Sequence, residues 1–448
     1  MAVSSKALSR GTLWTTGTYF VSVAMRFGSN VILSRLVQPE IFGMMLIIST
    51  LRNGIELVSD VGIGQNIVQN DKGQERTFRD TAWSIQFVRG ALLSSLMFIL
   101  AAPIGRLYAL PSEAIQISAL GLALMGSASV SIYMLQRQMK LIQLNLFDLA
   151  VEVVNAVFVL ALAFYSPTIW SLLAANLLTI TVRTCASYLL PYGRVWFAWH
   201  REHVREIVHF GKWIFLSSLL SFMCASFDKL YLGQAVPLAL VGIYGISRTI
   251  ADLPAALVSR LSYSVIFPAV SSLKGQEVGV LRNRIGSLRR RLLLALAACM
   301  AFGVSFADVA VQIIYDARYH DAGWMLPILL LGVWGFLLGT ISEFALLGIG
   351  RPLYGALANL LKLIFMIVAV PLALKFWGLP GAIVMLASSE IIRYAAILVG
   401  QRRENLTFLR QDTAATALLC LLVALFSLAR SSLGYGTAFD SISKILAS

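Results

Sequence analysis

Apolar stretches long enough to cross a bilayer recur about thirteen times along this chain, and short polar loops separate them. A helix rises about 1.5 Å per residue, so roughly 20 apolar residues cross the hydrocarbon core. The pattern therefore predicts an all-α polytopic membrane protein. The predicted spans lie near residues 12–35, 41–66, 82–103, 114–136, 147–166, 169–190, 211–235, 238–262, 292–314, 325–347, 354–376, 379–399 and 413–429.

The order of the spans predicts two six-helix lobes and about one further helix. An even number of spans returns the chain to its starting side, so the halves would be related by a pseudo-two-fold axis along the membrane normal, around a central cavity. A weak repeat of the layout of residues 11–43 over residues 211–242 supports this division. We predict an N-terminal lobe at 1–191, a basic cytoplasmic linker at 192–210, a C-terminal lobe at 211–400, and a helix with an interfacial tail at 401–448.

Composition and charge agree with a membrane location. The chain is 58% hydrophobic and 13% charged, with a mean hydropathy of +0.78, whereas soluble domains carry roughly 25% charged residues. The net charge of +14 collects on alternate loops, which by the positive-inside rule predicts a cytoplasmic N-terminus and argues against nucleic-acid binding. Four scattered cysteines predict no metal site, and the absence of a phosphate-binding G-x-x-x-x-G-K-[ST] motif predicts no bound nucleotide; we expect no cofactor.

Ionisable residues within the spans are the candidate functional groups, because a charge in the bilayer interior is unfavourable by roughly 2.5 kcal/mol or more. Arg26 and Asn30 share one face of span one, and Asp228 lies on the polar face of span seven. Five cations lack an acidic neighbour at helical spacing, and unpaired cations suit a multiply charged anion such as a lipid diphosphate. These cations are Arg26, Arg89, Arg183, Lys229 and Lys362.

Other charges are predicted to pair within one helix. Arg52 with Glu56, Arg248 with Asp252, and Glu390 with Arg393 have the spacing of structural ion pairs. Glu56 and Asp60 are like charges four residues apart, so a cation or a basic residue is expected beside them, and with Asp228 they are candidate ion-coupling groups.

Three segments resemble a known family: G-T-L-W at 11–14, R-D-T-A-W-S-I-Q-F-V-R-G-A-L-L at 79–93, and D-K-L-Y-L-G at 228–233 followed by V-G-I-Y at 241–244. With them the chain resembles a Wzx-like polysaccharide or oligosaccharide-lipid flippase of the multidrug/oligosaccharidyl-lipid/polysaccharide exporter superfamily. The resemblance implies a bacterial inner-membrane protein that moves undecaprenyl-diphosphate-linked repeat units to the periplasmic leaflet by alternating access. The implied partners are the lipid-linked oligosaccharide, membrane lipids, and a polysaccharide polymerase and export machinery.

The resemblance and the residues together assign substrate binding to Arg26, Asn30, Arg183, Asp228, Lys229 and Lys362. A cation-coupled small-molecule antiporter of the same architecture stays open as an alternative, since Glu56, Asp60 and Asp228 could bind protons or sodium. A membrane glycosyltransferase or polymerase is a second alternative, but its catalytic groups would have to come from the short polar loop around Asp316 and Asp321. We therefore expect a transporter and not an enzyme.

Overall fold

The computed structural model describes residues 5–59, 62–271 and 278–440, and within these ranges the chain forms helices without any strand. The α-helices are α1 (Ser5–Leu36), α2 (Pro39–Val58), α3 (Ile63–Gln69), α4 (Arg76–Ile99), α5 (Ala101–Tyr108), α6 (Ser112–Gly126), α7 (Ser131–Arg137), α8 (Leu141–Tyr165), α9 (Ile169–Ser187), α10 (Arg201–Ala235), α11 (Leu238–Leu261), α12 (Phe267–Ser271), α13 (Val278–Ser305), α14 (Ala307–Ile314), α15 (Ala322–Gly348), α16 (Leu353–Arg403) and α17 (Leu409–Ser432).

Most predicted spans lie on these helices, but the second, at 41–66, runs past the end of α2 at Val58 and into α3. Within the described residues, seven helices are long and apolar enough to cross a membrane, or nine if each of two bent helix pairs is one span. The chain is a multi-pass, all-α membrane protein.

The chain divides into two compact units. The first comprises Met1–Phe222 and Lys229–Ala239, and the second comprises Met223–Asp228 and Leu240–Ser448. Helix α10 therefore contributes residues to both.

Each unit contains helices that pack closely through small residues. In the first unit, a Cβ atom added to Gly126 of α6 would lie 2.7 Å from the Cα atom of Gly90 on α4. In the second unit, a Cβ atom on Gly332 of α15 would lie 2.6 Å from the Cα atom of Ala387 on α16. Small residues allow this approach, which is how membrane helices gain van der Waals contact without a hydrophobic driving force.

Two helical breaks follow from local sequence. Helix α16 is 51 residues long, but Gly378 has φ 65° and ψ −160° and Pro380 follows it, so the eleventh and twelfth predicted spans meet at a sharp turn that glycine tolerates. The fourth predicted span is broken by 52° between α6 and α7. There Gln86 donates to the carbonyl oxygens of Gly126 at 3.1 Å and Ala128 at 2.9 Å, which satisfies backbone groups that the break releases.

Candidate functional site

Two arginines of the first unit pair with carboxylates on one face of α8. A terminal guanidinium nitrogen of Arg183 on α9 lies 2.9 Å from Oδ1 of Asp148. Nε of Arg26 on α1 lies 3.3 Å from Oε1 of Glu152. Asp148 and Glu152 are one helical turn apart, so they share a face. The expectation that Arg26 and Arg183 lack acidic partners was wrong, because their partners come from another helix and not from helical spacing along their own.

These pairs remain accessible. The Arg26 side chain is 59% exposed, and that of Arg183 is 39% exposed. A guanidinium facing lipid would be unfavourable, so the exposed surface must face water or headgroups. Asn30 follows Arg26 by one turn on α1 and is half-buried, which keeps it on the same polar face.

A cavity of about 270 Å³ lies inside the first unit, and its charged lining residues are Glu56, Arg89 and Arg183. Nε of Arg89 donates to the Ser59 hydroxyl at 3.0 Å, and its terminal nitrogen donates to the backbone carbonyl of Glu56. These bonds hold the guanidinium at the cavity wall. Polar side chains of Gln86 and Thr184 complete a wall that can bind an anion.

The sequence-predicted ion-coupling residues of the first unit are partly described. Glu56 is half-buried, lines the cavity and attracts Arg52 electrostatically. Arg52 also donates to the side-chain oxygen of Asn176 on α9. Asp60 lies outside the described residues.

The second unit holds a buried network around Lys362. Nζ of Lys362 lies 2.6 Å from Oε1 of Glu390, and the two side chains are 11% and 5% exposed. Arg393 pairs with Glu343 on α15 and donates to the side-chain oxygen of Asn359 at 2.9 Å. Two expectations are corrected here. Lys362 has an acidic partner, Glu390. Arg393 pairs with Glu343 on α15, so these two ion pairs replace the predicted i,i+3 pair of Glu390 with Arg393.

Asp228 joins this network through α11. The Tyr244 hydroxyl donates to Oδ2 of Asp228 at 2.5 Å, and Nε of Arg248 lies 4.0 Å from the same oxygen. Arg248 also pairs with Asp252 at 3.1 Å, which confirms the predicted i,i+4 pair. Arg248 further attracts Glu390, so Asp228 and Lys362 belong to one array of alternating charges.

Lys229, which follows Asp228 on α10, is half-buried. No ion pair is found for it among the residues that the structure describes.

The described ranges contain no group of three or more histidine, cysteine, aspartate or glutamate side chains that could hold a metal ion. The polar loop after α14 forms a local turn, because Asp316 accepts from the backbone N–H of Arg318 at 3.0 Å and from its Nε at 2.8 Å. These bonds lower the pKa of the Asp316 carboxyl. An ionised, internally bonded aspartate of this kind stabilises a turn.

Gln86 and Thr184 were not selected from the sequence, although both line the cavity of the first unit. A signal for Gln86 exists in the sequence: an amide in an apolar span needs hydrogen-bond partners, and the neighbouring span contains Gly126 and Ser127, where a helix can break. Thr184 has no such signal.

Solved structures of membrane proteins share this fold. The chain is similar to the lipid II flippase MurJ in an inward closed conformation, with a TM-score of 0.72 and 11% identity over 94% of this chain and 99% of that one. It is also similar to an inward-facing multidrug resistance MATE family transporter, with a TM-score of 0.63 and 15% identity over 89% and 95% of the two chains. The chain thus has the helical fold of two-lobed membrane transporters.

The family follows from the sequence itself. A model of the polysaccharide biosynthesis protein family matches residues 32–323, more than half of the chain, and the chain belongs to this family. It is 24% identical over 333 residues to the succinoglycan biosynthesis transport protein ExoT of Rhizobium meliloti (strain 1021), covering 73% of this chain and 67% of ExoT. It is 21% identical over 279 residues to the teichuronic acid biosynthesis protein TuaB of Bacillus subtilis (strain 168), covering 61% of this chain and 57% of TuaB. The resemblance noted in the sequence is confirmed.

Proposed function

We propose that this protein flips an undecaprenyl-diphosphate-linked oligosaccharide repeat unit from the cytoplasmic to the periplasmic leaflet of a bacterial inner membrane. The flipped unit would serve exopolysaccharide, capsule or O-antigen synthesis, where a polymerase and export machinery consume it. Family membership supports transport in polysaccharide biosynthesis, and the fold shared with a lipid II flippase supports a lipid-linked cargo. The alternation of basic loops supports a cytoplasmic N-terminus.

The observation that carries the proposal is the accessible arginine cluster of the first unit. Arg89 and Arg183 line one cavity, and the side chain of Arg26 is more than half exposed. Guanidinium groups bind phosphate oxygens through paired hydrogen bonds, so a diphosphate can exchange with the carboxylates that pair with Arg26 and Arg183. Asp148 and Glu152 keep the cluster close to neutral before cargo arrives, which limits the penalty of placing cations in the membrane.

Transport would proceed by alternating access, with the helical units changing their arrangement around the bound headgroup while the prenyl chain stays in lipid. We further propose that Asn30, Asp228, Lys229 and Lys362 contact the cargo and that Glu56, Asp60 or Asp228 couples transport to an ion. Asp228 and Glu56 have charged neighbours whose attraction would change on protonation. No catalytic step is required.

The test is mass spectrometry of lipid-linked sugars in cells that lack this protein, with the leaflet assigned by a membrane-impermeant periplasmic probe. The proposal requires a complete diphosphate-linked repeat unit that accumulates in the cytoplasmic leaflet and returns to the periplasmic leaflet when the gene is restored. Normal amounts and sidedness, in cells without a redundant transporter, would favour the cation-coupled antiporter. Accumulation of an incomplete sugar would favour an enzyme.

A further inference from the structure

A second basic cavity lies in the second unit, away from the residues assigned to cargo. Its volume is about 740 Å³, and it is formed where the first turns of α13 approach the start of α17. Three arginines line it: Arg282 and Arg290 on α13, and Arg410 on α17. Both segments adjoin loops that the positive-inside rule predicts to be cytoplasmic.

Helix geometry brings the two α13 arginines to one side of the cavity. Arg282, Gly286 and Arg290 are spaced by four residues, so they lie along one helical face. Gly286 contributes no side chain, and a Cβ atom there would lie 3.2 Å from Nε2 of Gln411. The missing side chain lets Gln411 donate to the Gly286 carbonyl oxygen at 3.1 Å, which fixes the start of α17 against the arginines.

Two described acidic residues near this cavity, Asp412 and Glu404, are already engaged. Asp412 pairs with the buried Arg289 and accepts from the Tyr394 hydroxyl at 2.7 Å. Glu404 pairs with Arg351 at 3.1 Å. Among the described residues, no ion pair is found for Arg282, Arg290 or Arg410, so the cavity keeps three positive charges and no acidic lining residue.

A further feature adds to the positive charge of the cavity. Helix α17 begins at Leu409, and the side chain of its N-cap residue Phe408 provides no cap, so the positive end of the helix dipole adds to the arginine charge.

We propose that this cavity binds a phosphate ester, as in the headgroup of phosphatidylglycerol. The arginines bind the phosphate oxygens through charge-assisted hydrogen bonds. Basic pockets between transmembrane helices on the cytoplasmic side are suited to anionic headgroups. The same chemistry occurs in soluble glycerol phosphate, and the experiment separates the two sources.

The experiment measures phosphatidylglycerol bound to the full-length protein by native mass spectrometry, after reconstitution in nanodiscs of phosphatidylethanolamine with and without phosphatidylglycerol. The test variant is the double substitution Arg282→Gln and Arg290→Gln. Its matched control is Arg402→Gln and Arg403→Gln, which removes the same charge from exposed arginines at the end of α16 that do not line the cavity. We expect about tenfold weaker binding in the test variant, because two charge-assisted hydrogen-bonding groups are lost, and no change in the control.

Equal weakening in both double variants would overturn the proposal, because it would show diffuse attraction to a basic surface. Unchanged binding in the test variant would overturn it as well. If the test variant is not monodisperse, Arg410→Gln alone on α17 tests the same cavity from its other wall. Competition by glycerol 3-phosphate identifies the source: displacement of the lipid indicates the soluble ester, and persistence of the lipid indicates the membrane headgroup. The assay needs no transport, so its result does not depend on the proposed function.

Discussion

The pairs of Arg26 and Arg183 in the first unit and the pair of Lys362 with Glu390 in the second unit differ in how far they are withdrawn from solvent. In the first unit, the side chains of Arg26 and Arg183 are 59% and 39% exposed. In the second unit, the side chains of Lys362 and Glu390 are 11% and 5% exposed. Exposed pairs contribute about 0–1 kcal/mol to stability, whereas removing one partner of a buried pair destabilises by about 3–5 kcal/mol. The comparison separates two arginines that can exchange partners for a ligand at little cost in stability from a lysine whose partner also contributes to folding.

The largest expected effect is on the buried pair. Lys362→Met leaves the Glu390 carboxylate buried without its ammonium partner, and we expect the free energy of unfolding to fall by about 3–5 kcal/mol. Adding Glu390→Gln removes the isolated charge and should recover part of that loss. Thermal unfolding of the purified protein in detergent measures both. Full stability of Lys362→Met, with transport abolished, would contradict the structural role and leave the proposed cargo contact as the role of Lys362.

The accessible pairs should behave in the opposite way. Arg183→Gln, alone or with Arg26→Gln, is expected to change the free energy of unfolding by less than about 1 kcal/mol. Arg183→Gln should lower the rate of transport about tenfold or more, because a bidentate phosphate contact is lost. Sidedness of the lipid-linked repeat unit measures transport, and Arg402→Gln is the matched control.

An exchange of charges distinguishes binding from pairing. The double variant Arg183→Asp with Asp148→Arg keeps the ion pair between α8 and α9 but moves the cation to another helix. If the pair only holds the helices together, this variant should transport normally. If Arg183 binds the diphosphate, it should stay as defective as Arg183→Gln.

The same contrast explains which features could be predicted from the sequence. Helix positions and the Arg248–Asp252 pair depend on local periodicity, which the sequence displays directly. The partners of Arg26, Arg183 and Lys362 lie far along the chain, and local spacing holds no information about them. The sequence could therefore identify intramembrane cations but could not tell which were accessible.

Arg289 shows the limit of counting charges. In the sequence it belongs to a basic loop cluster that indicates topology. In the structure its side chain is 1% exposed, pairs with Asp412 on α17 and lies over the Phe408 ring at 5.2 Å. Its neighbour Arg290 is exposed. Only the packing of α13 against α17 separates the structural arginine from those free to bind an anion.

Two glycines offer an intermediate test of packing in the first unit. A Cβ atom on Gly126 would meet the backbone of Gly90, whereas nothing lies within 4 Å of a Cβ atom on Gly28. We expect Gly126→Ala to lower the free energy of unfolding by about 1–3 kcal/mol through overpacking of α4 against α6. Gly28→Ala should be neutral or stabilising by up to about 1 kcal/mol, because alanine favours the helix. Unfolding measurements that rank the two variants in the reverse order would contradict the close approach.

The smallest expected effect lies at the surface pair of Lys72 and Glu202, before the seventh predicted span. Nζ of Lys72 lies 3.1 Å from Oε1 of Glu202, and this hydrogen bond raises the pKa of Lys72 and lowers the pKa of Glu202. The lowered pKa of Glu202 means that its contribution is present above its ordinary value of 4.5 and is lost as the pH falls through the folded-state pKa. The raised pKa of Lys72 means that its contribution is present below 10.5 and is lost as the pH rises through the folded-state pKa.

Between pH 4.5 and pH 10.5, the contribution of this pair to the unfolding temperature should therefore stay constant. Below and above that range, the unfolding temperature should decrease slightly. Glu202→Gln should remove the part of the decrease in unfolding temperature at low pH that comes from Glu202. At neutral pH, Glu202→Gln should lower the unfolding temperature far less than Lys362→Met does. Both partners are exposed, so solvent and salt screen the interaction. Added salt should reduce the difference between Glu202→Gln and the parent protein, whereas the loss caused by Lys362→Met should persist because its charge is buried. If salt reduced both differences equally, burial would not be what separates the two kinds of ion pair.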